Sequence, residues 1–150
     1  MSQFTKILVV SPLGDGIFWM LQESMSYDVG SEGSGNTVNV PGGFITDFAS
    51  VPRPLWWLFP KWGRYGNAAV IHDFLYWDQS RSRKEADEIF LEGMIVLGVR
   101  STTRKALYWA VRLFGVFAWR KYRRLRRLGR IRVALIAPEK SVETGASIGA

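Results

Sequence analysis

The first forty positions contain two stretches whose apolar residues have the pattern of β-strands. Phe4–Ser11 is a short, largely apolar run, and from Trp19 to Val29 the odd positions are mostly apolar. Gly30–Asn36 is rich in Gly and Ser and leads into Thr37–Val40. This period is typical of half-buried strands, and Gly-rich segments are typical of turns. We therefore predict a strand at each of the two runs and a hairpin that Thr37–Val40 completes.

The pattern changes to a helical period after a break at Pro41-Gly42-Gly43. Ser82 and Glu85 have the spacing of a capping box, and Gly98 suits a helix end, so a helix from Ser82 to Gly98 has the best-defined limits. Two further helices flank it, at about Asn67–Tyr76 and at about Thr103–Gly129. In the last helix, apolar residues at helical spacing are expected to face the core. They are Ala106, Ala110, Leu113 and Phe117.

Shorter segments complete the predicted fold. Ser50 is placed to cap a short helix that begins near Pro52, and Ile131–Ile136 has the pattern of a last strand. Together the elements predict a single α+β domain over residues 1–137, with an N-terminal β-hairpin unit packed on a three-helix core. Its basic C-terminal helix covers about 103–129, and residues 138–150 form a flexible tail. A length of 150 residues fits one domain.

The composition restricts the chemistry that this chain can perform. It has no Cys and a single His. Disulfides, thiolate zinc sites, a Cys nucleophile and multi-His zinc sites are therefore excluded. A bound metal would be held mainly by oxygen, so Ca²⁺ or Mg²⁺ is the expected kind of ion.

The net charge of +7 is unevenly distributed along the chain. Residues 1–100 hold 8 Lys and Arg against 11 Asp and Glu, a net −3, whereas residues 101–150 hold 12 against 2, a net +10. The basic end predicts a docking surface for an anionic membrane, for nucleic-acid phosphates or for an acidic neighbouring subunit. We assign this role to Arg120, Lys121, Arg123, Arg124, Arg126 and Arg127, together with Trp119.

Neither the N-terminus nor the longest apolar run predicts insertion into a membrane. The first residues lack the apolar core of a signal peptide. Ala106–Trp119 is interrupted by Arg112 and is shorter than the ~20 residues that a spanning helix needs. We therefore expect a soluble or peripherally attached protein.

The candidate chemistry centres on His72, Asp73 and Asp87. On a helix, His72 shares an apolar stripe with Ala68 and Tyr76, while Asp73 points roughly 100° away. Asp87 lies on the apolar face of the next helix and needs a partner, because an unpaired buried charge is unfavourable. Two helices joined by a short loop pack antiparallel, which would bring Asp87 against His72.

Such a pair suits general-base catalysis, because the carboxylate fixes the imidazole tautomer and the free nitrogen deprotonates water. Asp73 would hold a hard cation, with Asp47 and loop carbonyls near Gly42-Gly43 or Gly66 completing an oxygen shell. The alternative is structural. Asp87 then caps a neighbour or pairs with Arg64, and His72 is a satisfied core residue.

Several separated motifs occur in order along the chain. They are Pro41-Gly42-Gly43-Phe44-Ile45-Thr46-Asp47-Phe48-Ala49-Ser50-Val51-Pro52-Arg53, Trp62-Gly63-Arg64-Tyr65-Gly66, His72-Asp73-Phe74-Leu75-Tyr76 and Ala86-Asp87-Glu88-Ile89-Phe90. With these motifs, about residues 17–118 resemble a family of short phage and prophage proteins, catalogued as domain of unknown function 1353. The resemblance implies a viral or prophage origin, and a location in the virion or the infected bacterial cell, without implying an activity.

A second resemblance covers about residues 66–98. His72-Asp73-x-x-Tyr76, followed by Asp87-x-x-Phe90, is similar to the two antiparallel helices of phospholipases A2. The resemblance implies that His72 is the base, Asp73 a Ca²⁺ ligand and Asp87 the residue that orients the His. The chain differs from that pattern in lacking disulfides, in a short His72–Asp87 spacing and in having no Gly-rich calcium loop directly before the helix.

Three functions follow from these observations. The leading one is a phage-encoded, phospholipase-A2-like protein, a calcium-dependent ester hydrolase acting at the host envelope. The second is a non-enzymatic virion or assembly protein that binds other virion proteins through aromatic and basic surfaces, with His72, Asp73 and Asp87 as a buried polar network. The third is a small factor that binds nucleic acid through its basic segment.

Overall fold

The computed structural model describes residue 4 and residues 7–14, 17–47 and 64–134. Within these residues, five short strands form two antiparallel sheets. The three-stranded sheet has the order β1-β2-β5, and β3 pairs with β4 in a hairpin. The strands are β1 Val10–Pro12, β2 Trp19–Leu21, β3 Met25–Asp28, β4 Thr37–Val40 and β5 Ile45–Thr46. Together with three helices they make the chain α+β, as the pattern predicted.

The hairpin prediction is confirmed, but the strand that runs into it is not continuous. Residues 19–21 pair with β1 and β5, whereas Met25 pairs with Val40 in the other sheet. The alternation from Trp19 to Val29 therefore spans two strands of different sheets. The prediction of a strand over Phe4–Ser11 was wrong in extent, because β1 begins at Val10 and Phe4 forms only an isolated bridge to Tyr27.

The described part of the chain forms three helices, α1 Gly66–Asp78, α2 Arg83–Val96 and α3 Ser101–Arg127. The predicted capping box opens α2: Ser82 Oγ accepts the Glu85 N–H at 3.2 Å, and the Glu85 carboxylate accepts the Ser82 N–H at 2.9 Å. The helix ends where predicted, because Gly98 adopts φ +68° and the Val99 N–H donates to Met94 O at 3.0 Å. Local sequence therefore sets both ends of α2.

Helices α1 and α2 run antiparallel and approach each other closely. His72 faces Asp87, and Ala68, one turn earlier on α1, faces Gly93, which lies further along α2. A Cβ at Gly93 would lie 3.0 Å from the Ala68 Cβ, so two small residues permit this separation. His72 lies where the two hydrophobic clusters of the core meet, since it contacts Tyr76 of one cluster and Phe90 of the other.

The predicted core face of α3 is wrong in part. Leu113 is 63% exposed, Phe117 is 68% exposed and Ala106 is exposed as well, while Ala110 is buried as predicted. The stretch from Ala106 to Trp119 is apolar almost all round, so its periodicity does not determine which side packs. Gly115 determines which side of α3 packs, because the Tyr76 side chain occupies the space that a Cβ at this position would need. The buried residues of α3 are Leu107, Ala110, Val111, Gly115, Trp119 and Tyr122.

A short segment after α3 returns to the three-stranded sheet. The Ile45 N–H donates to Arg132 O at 2.7 Å, and the Ala134 N–H donates to Gly43 O at 2.8 Å. The predicted last strand, Ile131–Ile136, is therefore present as an isolated bridge between Val133 and Phe44. Residues 135–136, the tail and the predicted short helix near Pro52 lie outside the described residues. In the part of the chain that the structure covers, no helix combines the length and the apolar character that crossing a membrane requires.

Candidate active site

The structure brings His72 and Asp87 together in the protein interior. His72 Nε2 lies 2.9 Å from Asp87 Oδ1, and neither residue is exposed to solvent. His72 projects from the middle of α1, and Asp87 projects from the second turn of α2. The juxtaposition is the one that the helical stripes predicted.

Asp87 also accepts hydrogen bonds from three further side chains. The Tyr76 hydroxyl donates to Oδ1 at 2.6 Å, and Arg112 and Arg83 donate to Oδ2 at 2.7 Å and 3.3 Å. Burial raises the pKa of the Asp87 carboxyl, but the hydrogen bonds from His72, Tyr76 and Arg112 outweigh it and hold that pKa below its usual range. Asp87 is therefore a carboxylate at neutral pH.

The charge of Asp87 determines the tautomer of His72. A carboxylate only accepts hydrogen bonds, so Nε2 carries the proton and donates it to Asp87. In the neutral form of the ring, Nδ1 is the nitrogen that carries the lone pair. This atom is buried and has no hydrogen-bond partner among the described residues. The ring lies between Tyr76 and Phe90, with centroid distances of 4.2 Å and 4.7 Å.

Asp73 faces away from His72 and contacts the end of β5. Its Oδ2 accepts the Thr46 hydroxyl at 2.7 Å and the Asp47 backbone N–H at 3.3 Å. The Arg132 guanidinium lies 3.9 Å from the same oxygen. The structure therefore brings the two predicted metal ligands, Asp73 and Asp47, next to each other, but with a cation of the protein beside them.

These contacts do not fit a calcium ion. Ca²⁺ takes six to eight oxygen ligands. Among the described residues, no group of three or more His, Asp and Glu side chains is placed to hold a metal. Asp73 Oδ2 already accepts two donors, and the positive charge of Arg132 opposes a second cation there. The predicted Ca²⁺ stays a prediction that this arrangement does not favour.

Arg132 is held in an aromatic enclosure. Its guanidinium carbon lies 4.9 Å from the Tyr122 ring centroid and 5.6 Å and 5.8 Å from those of Phe44 and Trp77. Burial lowers the pKa of Arg132, but the Asp73 carboxylate more than offsets this and raises it overall. The same burial, with the nearby Asp73 charge, raises the pKa of the Tyr122 hydroxyl. Arg132 is therefore the counter-ion of Asp73.

Sequence reasoning missed the arginines of both clusters. Arg112 interrupts an otherwise apolar run, and that interruption is the signal that could have marked it as a buried partner of Asp87. Arg83 lies four residues before Asp87 on one helical face, and it also donates to the Val111 and Arg112 carbonyl oxygens of α3. No signal pointed to Arg132, which lies in a basic segment of many similar charges.

The predicted docking residues at the end of α3 divide into two groups. Trp119 is buried and packs edge-on against the Tyr76 ring, with a centroid distance of 5.2 Å. The apolar side chains that α3 exposes lie further toward its N-terminus. The large apolar residues that α3 exposes are Trp109, Leu113, Phe114 and Phe117. The predicted cations are all exposed: Arg120, Lys121, Arg123, Arg124, Arg126 and Arg127.

Acid should destabilise the fold through Asp87. Its folded-state pKa is below its usual range, so its contribution to the free energy of unfolding is fully present above about pH 4, the unfolded value. That contribution is lost as the pH falls through the folded-state pKa.

We expect unfolding free energies measured by urea titration to decrease below about pH 4. Asp28, whose pKa is also lowered but which lies at the surface, gives the control. Asp28→Asn should keep most of the fall in unfolding free energy at acid pH, whereas Asp87→Asn should remove most of it. If the unfolding free energy of the two variants has the same slope against pH, Asp87 is not the cause of the acid sensitivity.

Comparison with known proteins places the chain in a family. Residues 19–111 match the family described as "Protein of unknown function (DUF1353)", so the chain belongs to it. The chain is similar to the uncharacterized protein y4jT of Sinorhizobium fredii (strain NBRC 101917 / NGR234), with 38% identity over 78 residues. That match covers 51% of this chain and 23% of the relative, so the chain spans about a quarter of that protein's length. No solved structure shows a significant match.

Proposed function

We propose that this protein is an ester hydrolase of the phospholipase A2 type, acting at a membrane surface, with His72 as its general base. One observation carries the proposal. His72 Nδ1 is a buried nitrogen with no hydrogen-bond partner among the described residues, while Nε2 lies 2.9 Å from the Asp87 carboxylate. A structural His normally satisfies both nitrogens when it is buried. A general base needs one nitrogen held and the other free.

In the proposed reaction, His72 Nδ1 removes a proton from a water molecule as its oxygen attacks the ester carbonyl carbon. The Asp87 carboxylate stabilises the imidazolium that forms, because Nε2–H donates to it throughout. Tyr76 and Arg112 hold Asp87 and so keep the ring in one orientation. The imidazolium then returns the proton to the alcohol oxygen as the acyl–oxygen bond breaks, which releases a carboxylic acid and an alcohol.

The exposed surface of α3 supports action at a lipid interface. Trp109, Leu113 and Phe117 follow one another at i, i+4 and i+8, and all are exposed. The next turns carry an excess of Arg and Lys with no acidic residue before Arg132. Exposed apolar side chains beside a basic segment are typical of helices that lie in the interface of anionic membranes. We therefore propose the host cell envelope as the place of action, in keeping with the phage origin that we predict.

The decisive test is acyl release from phospholipid vesicles. Wild type should release fatty acid, and His72→Gln should reduce the rate by about 10²–10⁴-fold, the usual contribution of a general base. Anionic vesicles should be hydrolysed faster than zwitterionic ones, and parallel assays with Ca²⁺ and with a chelator test the calcium prediction. Lys84→Ala, at an exposed position on α2, is the control and should keep the wild-type rate. Activity that survives His72→Gln would remove the proposed base.

A second function is favoured by a different observation. His72 is fully buried under two rings, and Asp87 joins α1, α2 and α3 through His72, Arg83 and Arg112. This network would also suit a non-enzymatic virion or assembly protein that binds its partners through α3. Alkylation with an α-haloketone separates the two functions. In the folded protein an accessible Nδ1 gains one adduct at His72, measurable by peptide mass spectrometry. If His72 reacts only after unfolding, the structural function is favoured.

A further inference from the structure

A cavity of about 410 Å³ opens between the end of α3, the C-terminal segment and the three-stranded sheet. Its volume is within the ~300–1,000 Å³ of typical small-molecule sites. The cavity lies on the Asp73 side of α1, since Asp47, Trp77 and Arg132 contribute to its wall. It does not include His72. Nothing in the proposed reaction uses it.

The inner wall of the cavity is apolar. Trp77 and Tyr122 are buried, and Leu13, Phe18 and Leu125 are partly buried. An apolar chain that lay against these side chains would displace water from their apolar surface. Burial of apolar area is favourable by roughly 25 cal/mol per Å².

The rim of the cavity is basic. Lys121 and Arg130 line the cavity and are exposed, so they lie where it meets solvent. Arg132 is the third cation in the wall, and Asp47 also lines the cavity. The positive charge of Arg132 is already balanced by Asp73 and Asp47. Of the three cations that line the cavity, Arg132 has a carboxylate partner. Lys121 and Arg130 form no ion pair with a carboxylate of the described residues. A low-dielectric cavity with positive charge at its mouth attracts anions.

We infer that this cavity binds a single-chain anionic amphiphile, with its acidic head at Lys121 and Arg130 and its apolar chain against Phe18, Trp77 and Leu125. The acidic head is a carboxylate or a phosphate, since both accept hydrogen bonds from Lys and Arg. A free fatty acid and a lysolipid phosphate are the two sources. Binding at this site does not depend on hydrolysis by His72.

Isothermal titration of the full chain tests the inference with four probes below their micelle concentrations: decanoate, decyl phosphate, decanol and butyrate. We expect one decanoate or decyl phosphate per chain. Decanol lacks the charge and butyrate lacks the long chain, so each should bind at least about tenfold more weakly. Preference for one anionic head over the other identifies the source. Equal binding of decanol, or decanoate uptake at many equivalent sites, would overturn the inference.

Two double variants with the same change of net charge locate the binding. Lys121→Gln/Arg130→Gln removes both rim cations and should weaken decanoate binding about tenfold or more. Arg124→Gln/Arg127→Gln removes two exposed cations from the same segment that do not line the cavity, and should change the dissociation constant less than about twofold. All four residues are exposed, so neither variant removes a buried contact. Equal weakening in both variants would show a non-specific effect of charge and overturn the site.

Discussion

Asp87→Asn should lower the free energy of unfolding by about 3–5 kcal/mol, the usual loss when one partner of a buried ion pair is removed. Asp87 is the common acceptor for His72, Tyr76, Arg83 and Arg112, and it is fully buried. An Asn of the same shape fills the space but leaves two guanidinium groups without a counter-charge. Chemical denaturation at neutral pH measures the change.

The adjacent residue supplies a matched control for this substitution. Glu88 lies on the same helix, and its partner Lys84 is 3.7 Å away with both side chains largely exposed. Glu88→Gln removes the same charge and should change the unfolding free energy by less than about 1 kcal/mol, because exposed ion pairs contribute little. If Asp87→Asn and Glu88→Gln have the same effect, Asp87 is not the electrostatic centre that joins the three helices.

The meeting of His72 with Asp87 could be predicted because every step is local. The capping box fixes the start of α2, a short connection fixes its direction, and the apolar stripe selects the face that Asp87 shares with Phe90. Each of these signals lies within a few residues of the atoms it positions. Periodicity and capping therefore suffice wherever two neighbouring helices form the contact.

The arginines could not be predicted in the same way, because they reach the site from distant elements. Arg112 is separated from Asp87 by 25 residues and approaches on a third helix. The side of α3 that packs is determined by Gly115 and the Tyr76 ring, and a stretch that is apolar almost all round does not reveal it. Arg132 reaches Asp73 only because its segment pairs with β5, which has two residues and no alternation to detect.

The position of Arg132 also changes what Asp73 can do. Read from the sequence, an Asp next to the candidate base suggests a cation site. In the structure the cation is a guanidinium brought by the chain itself, enclosed by Phe44 and Tyr122. The consequence is that the electrostatics of this side of α1 depend on the C-terminal segment remaining attached to the sheet.

Gly43→Ala should detach that segment and lower the unfolding free energy by about 2–5 kcal/mol. Gly43 has φ +85°, and an added Cβ would lie 2.0 Å from the Ala134 carbonyl oxygen, which is backbone and cannot move aside alone. A non-Gly residue at positive φ costs roughly 1–2 kcal/mol, and overpacking costs roughly 1–3 kcal/mol more. The bond from the Ala134 N–H to Gly43 O should break, and amide exchange at Ile45, which donates to Arg132 O, should accelerate.

Gly30→Ala separates the collision from the backbone conformation. Gly30 has φ +84°, nearly the same as Gly43, but no atom lies within 4 Å of the position a Cβ would take. Gly30→Ala should therefore lower the unfolding free energy only by the cost of the backbone conformation, about 1–2 kcal/mol. It should leave amide exchange at Ile45 unchanged. The difference in unfolding free energy between the two variants measures the contact between Gly43 and Ala134, which holds Arg132 beside Asp73. If both variants lose the same unfolding free energy, the close approach of Ala134 to Gly43 does not hold the C-terminal segment on the sheet. Arg132 could then move away from Asp73.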